Sequence, residues 1–149
     1  MERPVTSAPL DLVTMLADHA RARPDAPCLL FGEEAIAFGE LAARSDKVAG
    51  ALAGQGVRPG DRVAILALSG PVFFELLFGC AKAGAIMVPV NSRLSAREVR
   101  EILTDAEPAL LVVDDALARL VPDGLEIPVL PTEAFSAWRD RGEPAMAVP

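Results

Sequence analysis

The sequence predicts an α/β fold: a largely parallel sheet with helices on both faces, entered through an N-terminal β-hairpin. Three observations carry this. From residue 62 onward short apolar runs alternate with stretches of helical periodicity, the order that a parallel sheet with right-handed crossover helices requires. The run Ala109 to Val113 is apolar throughout, as a buried strand is. Finally, 52% of the 149 residues are apolar before the 11 glycines are added. An ordinary domain reaches roughly 45–50% with glycine included.

The elements follow in order. Leu12, Met15, Leu16 and His19 fall at i, i+3, i+4 and i+7, so a first helix runs from about Asp11 to Arg21. Pro24 and Pro27 bar its continuation. Cys28 to Phe31 and Ala35 to Phe38, on either side of Gly32-Glu33-Glu34, read as the arms of a hairpin. A second helix begins near Gly39 with an inner face of Leu41, Ser45, Val48 and Leu52. Glu40 and Arg44 pair at i, i+4 on its wet side, and Gly54 and Gly56 end it. Pro59-Gly60 supplies the fixed φ and the positive φ that a type II turn takes in succession, which leads into a strand from Arg62 to Leu68. Pro71 opens the next helix, where its missing N–H costs nothing. That helix, Pro71 to Ala83, is apolar nearly all round. Only Glu75, Gly79 and Lys82 form a non-apolar face, so packing on most sides is expected.

A strand from Ala85 to Val90 precedes the sharpest local signal. Ser95 and Glu98 form a capping box, Leu94 and Val99 a hydrophobic staple, and Val99, Ile102, Leu103 and Ala106 one helical face. Ala109 to Val113 is a buried strand, Asp115 to Leu120 a short helix that Asp114 or Asp115 is placed to cap, Ile127 to Leu130 a last strand, and Thr132 to Trp138 a last helical piece. Residues 1–138 thus read as one α/β subdomain. Residues 139–149 read as a linker-like tail, in a region where six of the 13 prolines lie from Pro108 onward.

Charge and composition exclude several classes. Fourteen basic against 21 acidic residues give a net charge of −7, which repels nucleic acid and anionic membranes. The most apolar stretch, Val63 to Val90, is broken by Ser69-Gly70-Pro71, Glu75 and Lys82, so no run of about 20 apolar residues spans a bilayer. Met1-Glu2-Arg3-Pro4 lacks the basic leader of a signal peptide, and the cytoplasm is the expected compartment. Cys28 and Cys80 have neither metal-knuckle nor redox-pair spacing and are expected as reduced core residues.

No catalytic, cofactor-binding or metal-binding residue emerges from the residues alone. Gly54-Gln55-Gly56, with Gly60 beyond, lies between a helix and a strand, whereas a dinucleotide fingerprint must follow a strand and open a helix. Leu68-Ser69-Gly70-Pro71 has that order, where open α/β sheets bind ligands. Pro71 removes a donor an anion would use, so a tight turn is the plainer reading and a nucleotide site the alternative. His19, the single histidine, shares a face with Leu12, Met15 and Leu16 and has no serine elbow to activate, so it reads as structural. Asp114 and Asp115 are neighbours whose side chains point apart, and they form no paired-carboxylate site. A Mg²⁺ site at Asp114 stays open, because such sites need few protein carboxylates.

Several segments, taken together, resemble the N-terminal part of the adenylate-forming superfamily: acyl-CoA synthetases, adenylation domains of nonribosomal peptide synthetases, and firefly luciferases. Ile36-Ala37-Phe38-Gly39-Glu40-Leu41 resembles the first core motif, with Phe38 where tyrosine is usual. Gly56 to Ile65 is similar to the stretch that follows it. Ala81-Lys82-Ala83-Gly84-Ala85-Ile86-Met87-Val88-Pro89-Val90 resembles the second core motif, and Asn91-Ser92-Arg93-Leu94-Ser95 resembles the branch of fatty-acyl and aryl CoA ligases. The resemblance implies ATP-dependent activation of a carboxylate as an acyl-adenylate, then transfer to the CoA thiol, with ATP, Mg²⁺ and CoA as the full-length family's cofactors. It places the phosphate loop shortly after Pro149 and the catalytic lysine further on. The chain is thus expected to be an incomplete N-terminal subdomain, inactive alone and holding no cofactor. Its expected partners are the remainder of the ligase chain, or a second copy through the apolar helix 71–83. The alternative is a stand-alone interaction module.

Overall fold

The computed structural model describes residues 11–145. Met1 to Leu10, and the last four residues of the expected tail, lie outside the described residues. Asp11 caps the first helix, α1 (Leu12–Ala22), its carboxylate accepting the Thr14 N–H at 2.7 Å. Strands β1 (Pro27–Phe31) and β2 (Glu34–Ala37) pair antiparallel, with Leu29 opposite Ile36 and Phe31 opposite Glu34. Gly32 takes φ +60° in the two-residue turn between them, a conformation that glycine adopts without strain. Phe38 is therefore not in the hairpin and instead begins α2 (Phe38–Gly54).

Gly56 turns left-handed at φ +89° just past α2. Across Pro59-Gly60 the Arg58 carbonyl accepts the Asp61 N–H at 2.9 Å, with Gly60 at φ +88°, and β3 (Arg62–Leu66) begins. Helix α3 (Pro71–Ala83) has the expected bounds, and β4 (Ile86–Pro89) follows. Both halves of the capping box form at α4 (Ala96–Ala106): Ser95 Oγ accepts the Glu98 N–H, and the Glu98 carboxylate accepts the Ser95 N–H at 2.8 Å. Strand β5 (Leu110–Val113), a 3-10 helix (Asp115–Leu120), β6 (Val129–Pro131) and α5 (Thr132–Asp140) complete the order.

The last four strands form one parallel sheet in the order β4-β3-β5-β6, with Val63 beside both Met87 and Leu110, and Leu111 beside Val129. Alternation along the strands builds a core on each face. Val63, Ile65, Leu110 and Val112 pack with residues of α2, α3 and α5. Ala64, Leu66, Leu111 and Val113 pack with Val99 and Leu103 of α4 and Leu117 of the 3-10 helix. A third cluster of Leu16, Ile36, Leu41 and Phe78 joins α1 and the hairpin to α2 and α3. No helix among the described residues is long and apolar enough to cross a membrane.

Four further expectations are corrected. The non-apolar face of α3 is turned inward: Glu75, Gly79 and Lys82 are all buried. Arg44 is not simply on the wet side of α2, because it pairs with Glu40 and also reaches the buried Glu75. Asp114, at the N-cap position of the 3-10 helix, makes no side-chain cap bond. The tail cannot begin at Arg139, since Arg139 and Asp140 are the end of α5. Buried Phe135 and Trp138 anchor that helix. At roughly 25 cal/mol per Å² over about 150–250 Å² each, the two aromatics contribute several kcal/mol, too much for a loosely held linker.

Candidate functional site

The arrangement of the sheet singles out one place. The chain leaves β3 for β4 through α3 on one face, then crosses to β5 through α4 on the opposite face. The carboxyl ends of β3 and β5 are therefore a topological switch point, where open sheets leave a crevice. A cavity of about 320 Å³ lies there, lined by Leu68, Ser69, Gly70, Asp114, Thr132 and Glu133 among others. The turn at Ser69 and the aspartate at 114, weighed separately in the sequence, are brought together here.

Its chemistry is restricted. Asp114 ties the strand ends together: one oxygen accepts the Leu68 N–H at 2.5 Å, the other the Thr132 hydroxyl at 2.6 Å. Its own N–H donates to the Leu66 carbonyl at 3.0 Å. These bonds explain why β3 stops at Leu66, since the Leu68 amide is taken by a side chain instead of a strand. Both carboxylate oxygens of Asp114 are thus engaged, and the cavity's other ionisable side chain is also an acid, Glu133. Pro71 offers no N–H, and the Phe73 N–H is taken by the Gly70 carbonyl at 3.2 Å, so two donors of the first turn of α3 are missing or engaged. A lining of carboxylates does not fit the phosphates of a nucleotide, which need donors and cations. Among the described residues, no group of three or more His, Cys, Asp or Glu side chains is arranged to hold a metal ion.

The remaining candidates take structural places. The ring of His19 lies 4.9 Å from that of Phe38, and the Arg23 guanidinium sits 4.8 Å over the same Phe38 ring. Gly54, Gly56 and Gly60 lie before β3, at the opposite end of the sheet from the crevice. Cys28 is half-buried and Cys80 buried, both as free thiols. Burial pushes the Cys80 thiol up to about 12. Burial raises that of Cys28 as well, against the pull of Arg23.

The polar centre that the sequence reading missed lies among α2, α3 and α5. Arg44 and Arg139 each donate to a different oxygen of Glu75 at 2.8 Å. Lys82 donates to Asp46 at 2.6 Å and to the Ala42 carbonyl at 3.0 Å. Burial opposes the charge on both arginines, but their hydrogen bonds to carboxylates and the nearby negative charges outweigh it and hold their pKa above the ordinary value. Between the two ion pairs Gly79 lets α2 come close: a Cβ there would stand 2.2 Å from Val48 Cγ1. The signal was present as Glu75, Gly79 and Lys82 at i, i+4 and i+7, a stripe with a small residue at its centre. Each charge in this network is paired, so it holds helices together and leaves no group free to react.

The profile of the family described as "AMP-binding enzyme" matches residues 16–141. A fatty acid–[acyl-carrier-protein] ligase of Streptomyces coeruleorubidus is 37% identical over 135 residues, covering 86% of this chain and 25% of the relative. The chain thus spans about a quarter of the length of that relative. Among solved structures, a benzoate CoA ligase from Burkholderia xenovorans has the same fold, with a TM-score of 0.85 at 21% identity over 91% of this chain and 29% of that one. The N-terminal domain of FACL13 from Mycobacterium tuberculosis gives 0.82 at 23% identity over 91% of this chain and 37% of that one.

Proposed function

The chain belongs to the family of AMP-binding enzymes, and we propose that it is the N-terminal segment of an acid–thiol ligase. Such an enzyme joins a carboxylic acid to ATP as an acyl-adenylate and then passes the acyl group to a thiol, that of coenzyme A or of a carrier protein. The observation that carries the reading is the continuous family match over residues 16–141, through both motif-like segments. The sequence Asn91-Ser92-Arg93-Leu94-Ser95 and the fatty acid ligase relative support a fatty or aryl acid as substrate.

Within that enzyme this segment is scaffold. The acidic crevice does not suit the phosphates, which supports placing the residues that hold ATP, Mg²⁺ and the thiol on the remainder of the ligase, the partner of this subdomain. The segment alone then does not adenylate. Carboxylate-dependent ATP–pyrophosphate exchange with the purified 149-residue chain tests this. No exchange above a protein-free control is expected, and exchange that co-purifies with the chain would overturn the reading. Exposed Leu30 and Leu68 favour a second reading, a stand-alone self-association module. It predicts a defined reversible dimer in sedimentation.

A further inference from the structure

Two glycines join the last described residues to α2. Residues 142–145 leave the end of α5 and run along α2 toward its N-terminus, from Gly50 and Ala51 to Asp46. A Cβ on Gly50 would overlap the Glu143 carbonyl oxygen and stand 2.7 Å from the carbonyl carbon. A Cβ on Gly142 would overlap the Lys47 carbonyl oxygen and stand 2.6 Å from the Ala51 nitrogen. These neighbours are main chain and cannot swing aside, so the approach exists only because both residues are glycine. Neither glycine takes a positive φ, so the contact and not a turn requires them. In the middle of α2, Gly50 is a cost that alanine would not carry.

What holds these residues differs from what holds α5. Buried Phe135 and Trp138, and the pair of Arg139 with Glu75 at 2.8 Å, fasten α5 to the core. Gly142, Glu143, Pro144 and Ala145 bring no large apolar side chain, and Glu143 and Pro144 are exposed. Their bond into α2 is the Ala145 N–H to the Asp46 carbonyl at 3.3 Å. In a regular helix that carbonyl already accepts the N–H of residue 50, so the acceptor is shared. The same residues wall a cavity of about 480 Å³ whose lining includes Trp138, Gln55 and Gly54. We propose that residues 142–145 are a strap that unlatches from α2 as a unit while α5 and the sheet stay folded, and that unlatching opens the cavity at Trp138. Segments with few buried contacts open at the lowest free energies in a fold, whereas a close fit of backbone to backbone gives the closed state one definite position. Closed, the strap shields the indole. Open, it exposes Trp138 and Gln55 to water and frees the chain beyond Arg141 to take another direction. The proposal does not depend on the ligase reading.

The test uses the 149-residue chain, whose single tryptophan reports on the cavity. Gly50→Ala adds the clashing Cβ at a position where alanine otherwise favours the helix. The Ala145 amide should then exchange with solvent faster by on the order of tenfold. Trp138 emission should shift to the red and become more open to acrylamide, while the urea midpoint stays no lower than that of the wild type. Gly142→Ala should produce the same changes in exchange and emission from the strap's side. Gly54→Ala, in the same helix and lining the same cavity but with nothing within 4 Å of its Cβ, should leave both unchanged. Ala145 exchange or Trp138 emission that stays at the wild-type value in Gly50→Ala overturns the proposal. So does an Ala145 amide that is already unprotected in the wild type, because no latch is then present. A lowered midpoint or a failure of Gly50→Ala to fold also overturns it, since a strap free to leave relieves the clash without cost to the core.

Discussion

Replacing Gly79 by alanine sets two effects against each other at one atom. In a helix interior alanine is favoured over glycine by about 1 kcal/mol. Here the new Cβ would stand 2.2 Å from Val48 Cγ1 and 2.6 Å from Val48 Cβ. Val48 is fully buried, and turning about its χ1 cannot move its own Cβ. Reaching an ordinary carbon–carbon separation of about 3.5–4.0 Å requires α2 and α3 to part by on the order of 1 Å. The same helices are bridged by Arg44 to Glu75 at 2.8 Å and by Lys82 to Asp46 at 2.6 Å, so parting them also stretches two part-buried ion pairs. Overpacking costs about 1–3 kcal/mol, and contacts this short belong in the upper half of that range. A net destabilisation of about 1–2 kcal/mol is left after the helix gain. Urea unfolding followed by circular dichroism should show a lower midpoint at unchanged slope. A Gly79→Ala protein with a midpoint at or above that of the wild type would refute the close-approach argument.

Arg44→Met and Arg139→Met each take one charged hydrogen bond from Glu75, about 1.5–3 kcal/mol, but leave it the other guanidinium. The double variant strands a carboxylate that is only 2% exposed, so a denaturation cycle should show a loss exceeding the sum of the two by more than about 0.5 kcal/mol, and simple additivity would contradict the shared-partner geometry. Ser95→Ala should cost about 0.5–2 kcal/mol as a lost helix cap. Hydrogen bonds from the Ser95 backbone and hydroxyl hold the Glu98 carboxyl below its ordinary 4.5, so this contribution is present above that pH and lost as the pH falls through the lowered native value. The wild-type advantage over Ser95→Ala in melting temperature should shrink accordingly in acid, and a constant difference would count against it. An aromatic disulfide reagent at about pH 8 should titrate Cys28 slowly and Cys80 only after denaturation, because the thiolate is the reacting form. Fast labelling of both thiols in the native protein would contradict the burial.

The parts of the fold legible in the sequence are those where local chemistry and tertiary packing agree. Ser95 with Glu98, Pro59 with Gly60, and Pro71 at a helix start each fix a boundary through a backbone requirement that no distant contact changes. The apolar runs of β3 after Arg62 and of β5 are legible because strand positions covered on both faces are apolar. What escaped depends on partners far along the chain. Glu75 reads as a solvent residue until Arg44, 31 positions earlier, and Arg139, 64 positions later, are brought to it. Asp114 reads as a cap until Leu68 and Thr132 converge on its two oxygens. The same holds for the crevice: the turn at Ser69 and the aspartate were visible separately, but their meeting is a product of the strand order β4-β3-β5-β6.

The inversion of α3 changes where the apolar excess of the composition goes. An apolar helix with a narrow polar stripe would ordinarily turn that stripe to water and leave its flanks for a partner. Here the stripe faces α2 and α5, where its charges are neutralised, and the flanks are divided between the sheet, through Leu76 and Cys80, and the α1–hairpin cluster, through Phe78. Only Phe74 among the large apolar side chains of α3 stays exposed. Charge altered at the exposed apolar side chains and charge altered within the helical layer should therefore act differently. At Leu68 or Leu30 it meets water and alters association alone, whereas loss of charge at Glu75 or Lys82 breaks contacts inside the helical layer and is felt as stability. Association and folding are separable in this chain because the polar residues of its most apolar helix are used to build the interior.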